Sequence, residues 1–149
     1  MPRFRCHSCP FRGLELIRTP SGRLHHLEIW VPDYVAAKAS LGWLFEELGY
    51  RVAGEWDHGG SWQGAGEYLV LEAGPDVAGP HTRRNAGLNH LAFQAGTPSN
   101  VEAITAAALD HGWMLMFGDK HPFAGGPGHH AAYLENADGF EVELVADVE

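Results

Sequence analysis

An α+β fold made of two consecutive β-α-β-β-β modules is what this sequence predicts, and three observations predict it. The strand-like segments "HLEIWV" and "HLAFQA" both open on a histidine, His26 and His90. Each is followed by a helix-like stretch that ends in a glycine and an aromatic, Gly49 with Tyr50 and Gly112 with Trp113. Each half then closes on a glutamate inside an apolar strand, Glu72 in "YLVLEAG" and Glu143 in "GFEVELV". Recurrence of one pattern in the same order signals a repeated structural unit.

The elements follow in order. "LHHLEIWV" alternates apolar and polar residues as a half-buried strand does. "PDYVAAKASLGWLFEELG" is helical, with Pro32 and Asp33 as its start and Gly49 at its C-cap. "YRVAGEW" returns to strand character, and the Gly-rich "DHGGSWQGAG" leads into the apolar strand "EYLVLEAG". Turn formers mark residues 75–86 as a linker. Beyond it come strand "LNHLAFQA", helix "SNVEAITAAALDHG", strand "WMLMFG", the loop "DKHPFAGGPGHH" and the closing "AAYLENADGFEVELVA". Module one is thus expected over about 23–74 and module two over about 87–147, forming one domain. Residues 1–22 read as a mobile extension. Its Cys6 and Cys9 are too few for a four-ligand zinc site.

Composition narrows the function classes. The net charge of −9 argues against a polyanionic partner, because nucleic-acid binding needs basic surface that neutralises phosphates. No apolar run reaches the roughly 20 residues of a membrane span, and the N-terminus lacks a secretory signal. With two cysteines and no disulfide framework, a cytoplasmic protein is expected.

Strand alternation places the chemistry. Leu27, Ile29 and Val31 share one face of the first strand, and His26, Glu28 and Trp30 the other. Leu91 and Phe93 likewise oppose His90, Ala92 and Gln94, and Val142 and Leu144 oppose Glu141 and Glu143. His26 is preferred to His25 because it holds the place that His90 holds in the second half. If two curved mixed sheets form a cup, His26, Glu72, His90 and Glu143 are candidate ligands of one divalent metal per site (Ni, Zn, Mn, Co or Fe(II)) with positions open to substrate. Glu28 and Gln94 are expected as neighbours on the cup face, and Trp30 and Trp62 as walls of a substrate pocket.

The motifs "HHLEIWVPD", "LVLE", "LNHLAF" and "ADGFEVELV" resemble the vicinal oxygen chelate superfamily, which includes glyoxalases, bleomycin resistance proteins and extradiol dioxygenases. The resemblance covers residues 23–147. It implies a glyoxalase-like paired-module fold, a homodimer, a small-molecule substrate, and the four residues above as metal ligands. Glu72 or Glu143 would move a proton next to a substrate carbonyl in an isomerase or lyase. "AYLENADGFEVE" is also similar to the extradiol dioxygenase ending, which implies an assisting role for Tyr133, ten residues before Glu143. It also implies an acid–base histidine in the loop that holds His121, His129 and His130; His130 is assigned that role, and His121 a place at the pocket. The alternatives to an isomerase or lyase are an Fe(II) extradiol-type dioxygenase and a non-enzymatic drug-binding protein.

Overall fold

The structure, a computed structural model, describes residues 22–147; the N-terminal stretch with Cys6 and Cys9 lies outside the described residues. Strand β1 (His26–Trp30) leads into α1 (Tyr34–Ala37), a π-helical stretch (Lys38–Gly42) and α2 (Trp43–Glu47), then β2 (Arg51–Trp56), β3 (Gly59–Gln63) and β4 (Tyr68–Glu72). The second half repeats the plan with β5 (His90–Gln94), α3 (Pro98–Ala108), a 3-10 turn (Leu109–His111), β6 (Trp113–Leu115), β7 (Ala131–Asn136) and β8 (Glu141–Val145).

Local chemistry explains the boundaries. The Asp33 carboxylate accepts a hydrogen bond from Ala36 N at 2.9 Å, satisfying one of the amides that a helix N-terminus leaves open. Gly49 takes φ +91° at the other end, a conformation that favours glycine. Helix α3 starts at Pro98, one residue earlier than the sequence suggested, because Thr97 caps it and proline suits the first helical position. Strand β6 is shorter than "WMLMFG". Phe117, at φ 53°, cannot continue an extended run.

Each half folds into a four-stranded mixed sheet, in the orders β1-β4-β3-β2 and β5-β8-β7-β6. The first and last strands of each module pair in parallel, and the other neighbours are antiparallel. The parallel registers are equivalent. His26 lies opposite Tyr68 and Trp30 opposite Glu72 in one sheet, and His90 opposite Glu141 and Ala92 opposite Glu143 in the other.

One core serves both halves. Ile29, Val31, Leu69 and Leu71 of the first sheet, Val142 and Leu144 of the second, and Leu41, Leu44, Phe45, Val101 and Ile104 from the helices are buried in a single cluster. Contacts cross between modules: the Phe45 ring lies 6.1 Å from Phe93, and Trp113 Nε1 donates to Ser40 O at 3.3 Å. Because the apolar faces of both sheets are consumed in this shared core, their polar faces turn outward. His26, Glu28 and Trp30 are accordingly exposed. Among the described residues, no helix is long and apolar enough to cross a membrane.

Trp62 corrects one expectation. It is fully buried, 5.7 Å from the Phe45 ring, and a Cβ on Gly42 would lie 2.7 Å from its Cζ2. It is a core residue, because its parity on β3 is opposite to that of the outward-facing Ser61 and Gln63. Trp62→Ala is therefore expected to cost about 3–5 kcal/mol of stability in denaturant unfolding, while ligand binding by the residual folded protein stays unchanged.

Candidate functional site

The second sheet gathers its outward polar residues into a connected group. Asn89 Nδ2 donates to Arg83 O at 3.1 Å, which turns its Oδ1 toward His90 Nδ1, 2.9 Å away. An amide oxygen only accepts, so Nδ1 carries the proton and Nε2 is left as the working nitrogen. That Nε2 lies 3.3 Å from Glu143 Oε2. The other carboxylate oxygen is 2.6 Å from His129 Nε2, and Tyr133 stands opposite Glu143 in the antiparallel ladder.

Electrostatics follow from this packing. Burial pushes the Glu143 carboxyl up, but the hydrogen bond from His129, the neighbouring Tyr133 hydroxyl and the charges of His129 and His90 outweigh it, and the group is held below the usual carboxylate range. Tyr133 moves the other way: burial and the neighbouring Glu143 carboxylate push its hydroxyl up to about 12. Two further carboxylates share this face and are neutralised from the linker. Arg83 Nη1 lies 2.8 Å from Glu141 Oε2, and its Nε lies 3.1 Å from Glu135 Oε1. Glu143 is thereby left to the histidines.

The first sheet presents a sparser counterpart. His26 stacks on Tyr68, with ring centroids 4.9 Å apart, and its Nδ1 lies 2.9 Å from His25 Nδ1. Trp30 Nε1 donates to Glu28 Oε1 at 2.7 Å. Glu28 and Trp30 line a recess of about 230 Å³ with His81, Thr82, Leu88 and Phe140. Gln94 lies elsewhere, in a groove with Ala65, Glu67 and Ala92.

Three expected site residues are placed differently. Glu72 is four residues along the parallel ladder from the position opposite His26, about 13 Å at the usual rise per residue. Its Oε2 accepts from Trp56 Nε1 at 2.6 Å, and glycines leave room around it: a Cβ would fall 2.7 Å from Oε2 at Gly59 and 2.8 Å from Oε1 at Gly74. It does not join His26. His130 and His121 do not reach Glu143 either. Their Nε2 atoms lie 2.8 and 2.9 Å from the two oxygens of Glu102 on α3. Counting back by twos from Tyr133 puts His129 on the Glu143 face and His130 on the helix face. That parity was available in the sequence, whereas the roles of Arg83 and Asn89, set by the path of the linker, were not.

The donor chemistry of the second sheet fits a divalent metal. Two ligands at right angles, each about 2.1 Å from an ion, stand about 3 Å apart, close to the separation of His90 Nε2 and Glu143 Oε2. The Nδ1–H bond to Asn89 is the outer partner that metal-binding histidines use. Among the described residues, however, no three His, Cys, Asp or Glu side chains come together to hold one ion.

The comparisons with known proteins match this architecture. The family model of the Glyoxalase/Bleomycin resistance protein/Dioxygenase superfamily matches residues 25–133. The chain belongs to that superfamily. Within the superfamily it is 39% identical over 125 residues to the uncharacterized protein YqjT of Bacillus subtilis (strain 168), covering 83% of this chain and 98% of the relative. The crystal structure of a candidate glyoxalase from Bacillus halodurans superposes with a TM-score of 0.80 at 38% identity, over 85% of this chain and 96% of that one. A glyoxalase/bleomycin resistance protein from Albidiferax ferrireducens T118 shares the fold, with a TM-score of 0.64 at 18% identity over 85% and 99% of the two chains.

Glu102 gives a pH test of the contacts behind the sheet. The hydrogen bond from His121 holds its carboxyl below the ordinary range, against an upward push from burial, and His130 adds to the effect. A depressed carboxyl stabilises the fold above its unfolded pKa of about 4.3, and that contribution is lost as pH falls through the folded value. The Tm of Glu102→Gln should therefore lie below that of the parent at about pH 5.5, and the gap should close as pH falls below the ordinary carboxylate range.

Proposed function

We propose that this protein is a metal-dependent isomerase or lyase of the glyoxalase type that acts on a small oxygenated metabolite. We propose further that it works as a homodimer, in which the outward face of one copy's first module closes over that of the other copy's second module. The observation that carries the reading is the paired His90 Nε2 and Glu143 Oε2, 3.3 Å apart on an outward sheet face, with the His90 ring set by Asn89. His26, on the equivalent position of the other sheet, faces outward in the same way.

His90 and Glu143 would hold the metal from one side and His26 from the other. A bound divalent ion supplies Lewis acidity toward adjacent substrate oxygens. The chain's own groups do the rest. Glu143, kept ionised by its neighbours, is competent to bind a cation or to accept a proton. Tyr133, with its hydroxyl pushed up to about 12, stays protonated at neutral pH and can donate to an oxygen that gains negative charge. The loop that carries His129 packs closely on this corner. Any side chain at Gly125 would overlap the His129 ring and lie 2.7 Å from the Tyr133 hydroxyl.

An Fe(II) extradiol-type dioxygenase is the second reading, favoured by the placement of Tyr133 directly opposite Glu143. Metal analysis of protein purified anaerobically without a metal-affinity step separates the two. Nickel, zinc, manganese or cobalt at near one per chain supports the isomerase or lyase. Near-stoichiometric iron, with oxygen uptake on catechols, supports the dioxygenase. His90→Ala should lower metal affinity at least tenfold with little change in Tm, and unaltered metal retention in that variant would contradict both readings.

A further inference from the structure

We infer that Phe117 is the specificity-determining residue of the second sheet's outward face, an aromatic wall that selects substrates carrying a flat, unsaturated group beside their chelating oxygens. The assignment depends on the proposed function and narrows its substrate class.

The backbone at this position is unusual. Every other described residue with positive φ is a glycine, whereas Phe117 holds φ 53°, a conformation that costs a bulky residue free energy. That conformation decides where the ring goes. Trp113 and Leu115 pack in and against the core, so by alternation a strand continued through residue 117 would turn this ring inward. The left-handed backbone ends the strand instead, and the ring lies 5.7 Å from that of Tyr133 at an interplanar angle of 81°. Hydrogen bonds fix the chain on both sides: Met116 N donates to Tyr133 O at 2.8 Å, and Lys120 N and His121 N donate to Phe117 O at 2.8 and 2.9 Å.

The fold gains little burial in return. Phe117 is 47% exposed and is absent from the shared core and from the side chains packed against it. Strain of this kind is concentrated where a ligand is gripped. The surroundings point to the ligand's chemistry. A row crosses the sheet from His90 on β5 through Glu143 on β8 to Tyr133 on β7, with Phe117 just past β6. The His90 and Tyr133 rings are 6.3 Å apart. A substrate held by its oxygens at His90 and Glu143 therefore extends over Tyr133 toward Phe117. Aromatic rings reward a flat partner, at centroid distances of about 4.5–7 Å, beyond what apolar contact alone supplies. A phenyl or conjugated substituent suits this end of the row, and a methyl group is too short to reach it.

Calorimetric titration of Co²⁺-loaded full-length protein with benzohydroxamate and with acetohydroxamate tests the assignment. The two share one pair of chelating oxygens and differ only in phenyl against methyl. The parent should prefer benzohydroxamate by about tenfold or more. Phe117→Gly should cut that preference by about fivefold or more while leaving acetohydroxamate affinity within about twofold. Its Tm should stay level or rise, because glycine adopts the positive φ without strain, and its sedimenting mass should match the parent's. Phe117→Tyr should keep the parent's preference. An undiminished preference in Phe117→Gly, or an equal loss for both hydroxamates, overturns the assignment and leaves the proposed function standing. So does a clear fall in Tm or a change in sedimenting mass, which would make the ring a packing or an interface residue. Failure of both hydroxamates to bind the parent removes the proposed function and the assignment together.

Discussion

The parallel pairing of the first and last strand in each module is the constraint on which the site depends. It brings residues from opposite ends of a module side by side, and through strict alternation it decides which of them face the core and which face outward. In the second module this register sets Ala92 against Glu143, and the small side chain leaves room for the carboxylate to meet His90. In the first it sets Glu28 against Val70. A slip of one residue would turn every one of these groups into the core, where Val142, Leu144, Ile29 and Leu71 now pack.

The shared core has a second consequence. The helices and the inner faces of both sheets satisfy one another, so each chain presents two outward polar faces that do not meet. On the second face the polar groups are supported in sequence: Arg83 fixes Glu141 and Glu135, Asn89 orients His90, and His129 and Tyr133 hold Glu143 ionised. Such support positions a functional group at little cost in mobility. It also explains why a face with three carboxylates is tolerated, since burying a carboxylate requires a partner.

Much of this was legible in the sequence. Duplication, element order and the inward rows of Leu27, Ile29 and Val31 follow from periodicity, because burial of one strand face imposes it directly. His26, His90 and Glu143 could be picked out as polar interruptions on the outward faces. Glu72 misled because its distance along the chain says nothing about strand register. The β2–β3 and β3–β4 turns absorb residues, and only the ladder shows that the counterpart of Glu143 is Val70. His130 misled for a related reason, since one step along β7 changes the face. Trp62 shows that an aromatic in a Gly-rich stretch can be core, where Gly42 makes room for it. Arg83 and Asn89 carried no local signal; their roles come from the path of the linker over the second sheet.

The central claim is that a complete site unites the first module of one copy with the second module of another. Mixing His26→Ala and His90→Ala proteins after reversible dissociation tests it most directly, with bound metal as the readout. Each mixed dimer would hold one site with both histidines intact and one with neither, so the account predicts recovery of about one quarter of the parent's metal capacity from two inactive proteins. Recovery no greater than the sum of the separate variants would contradict it.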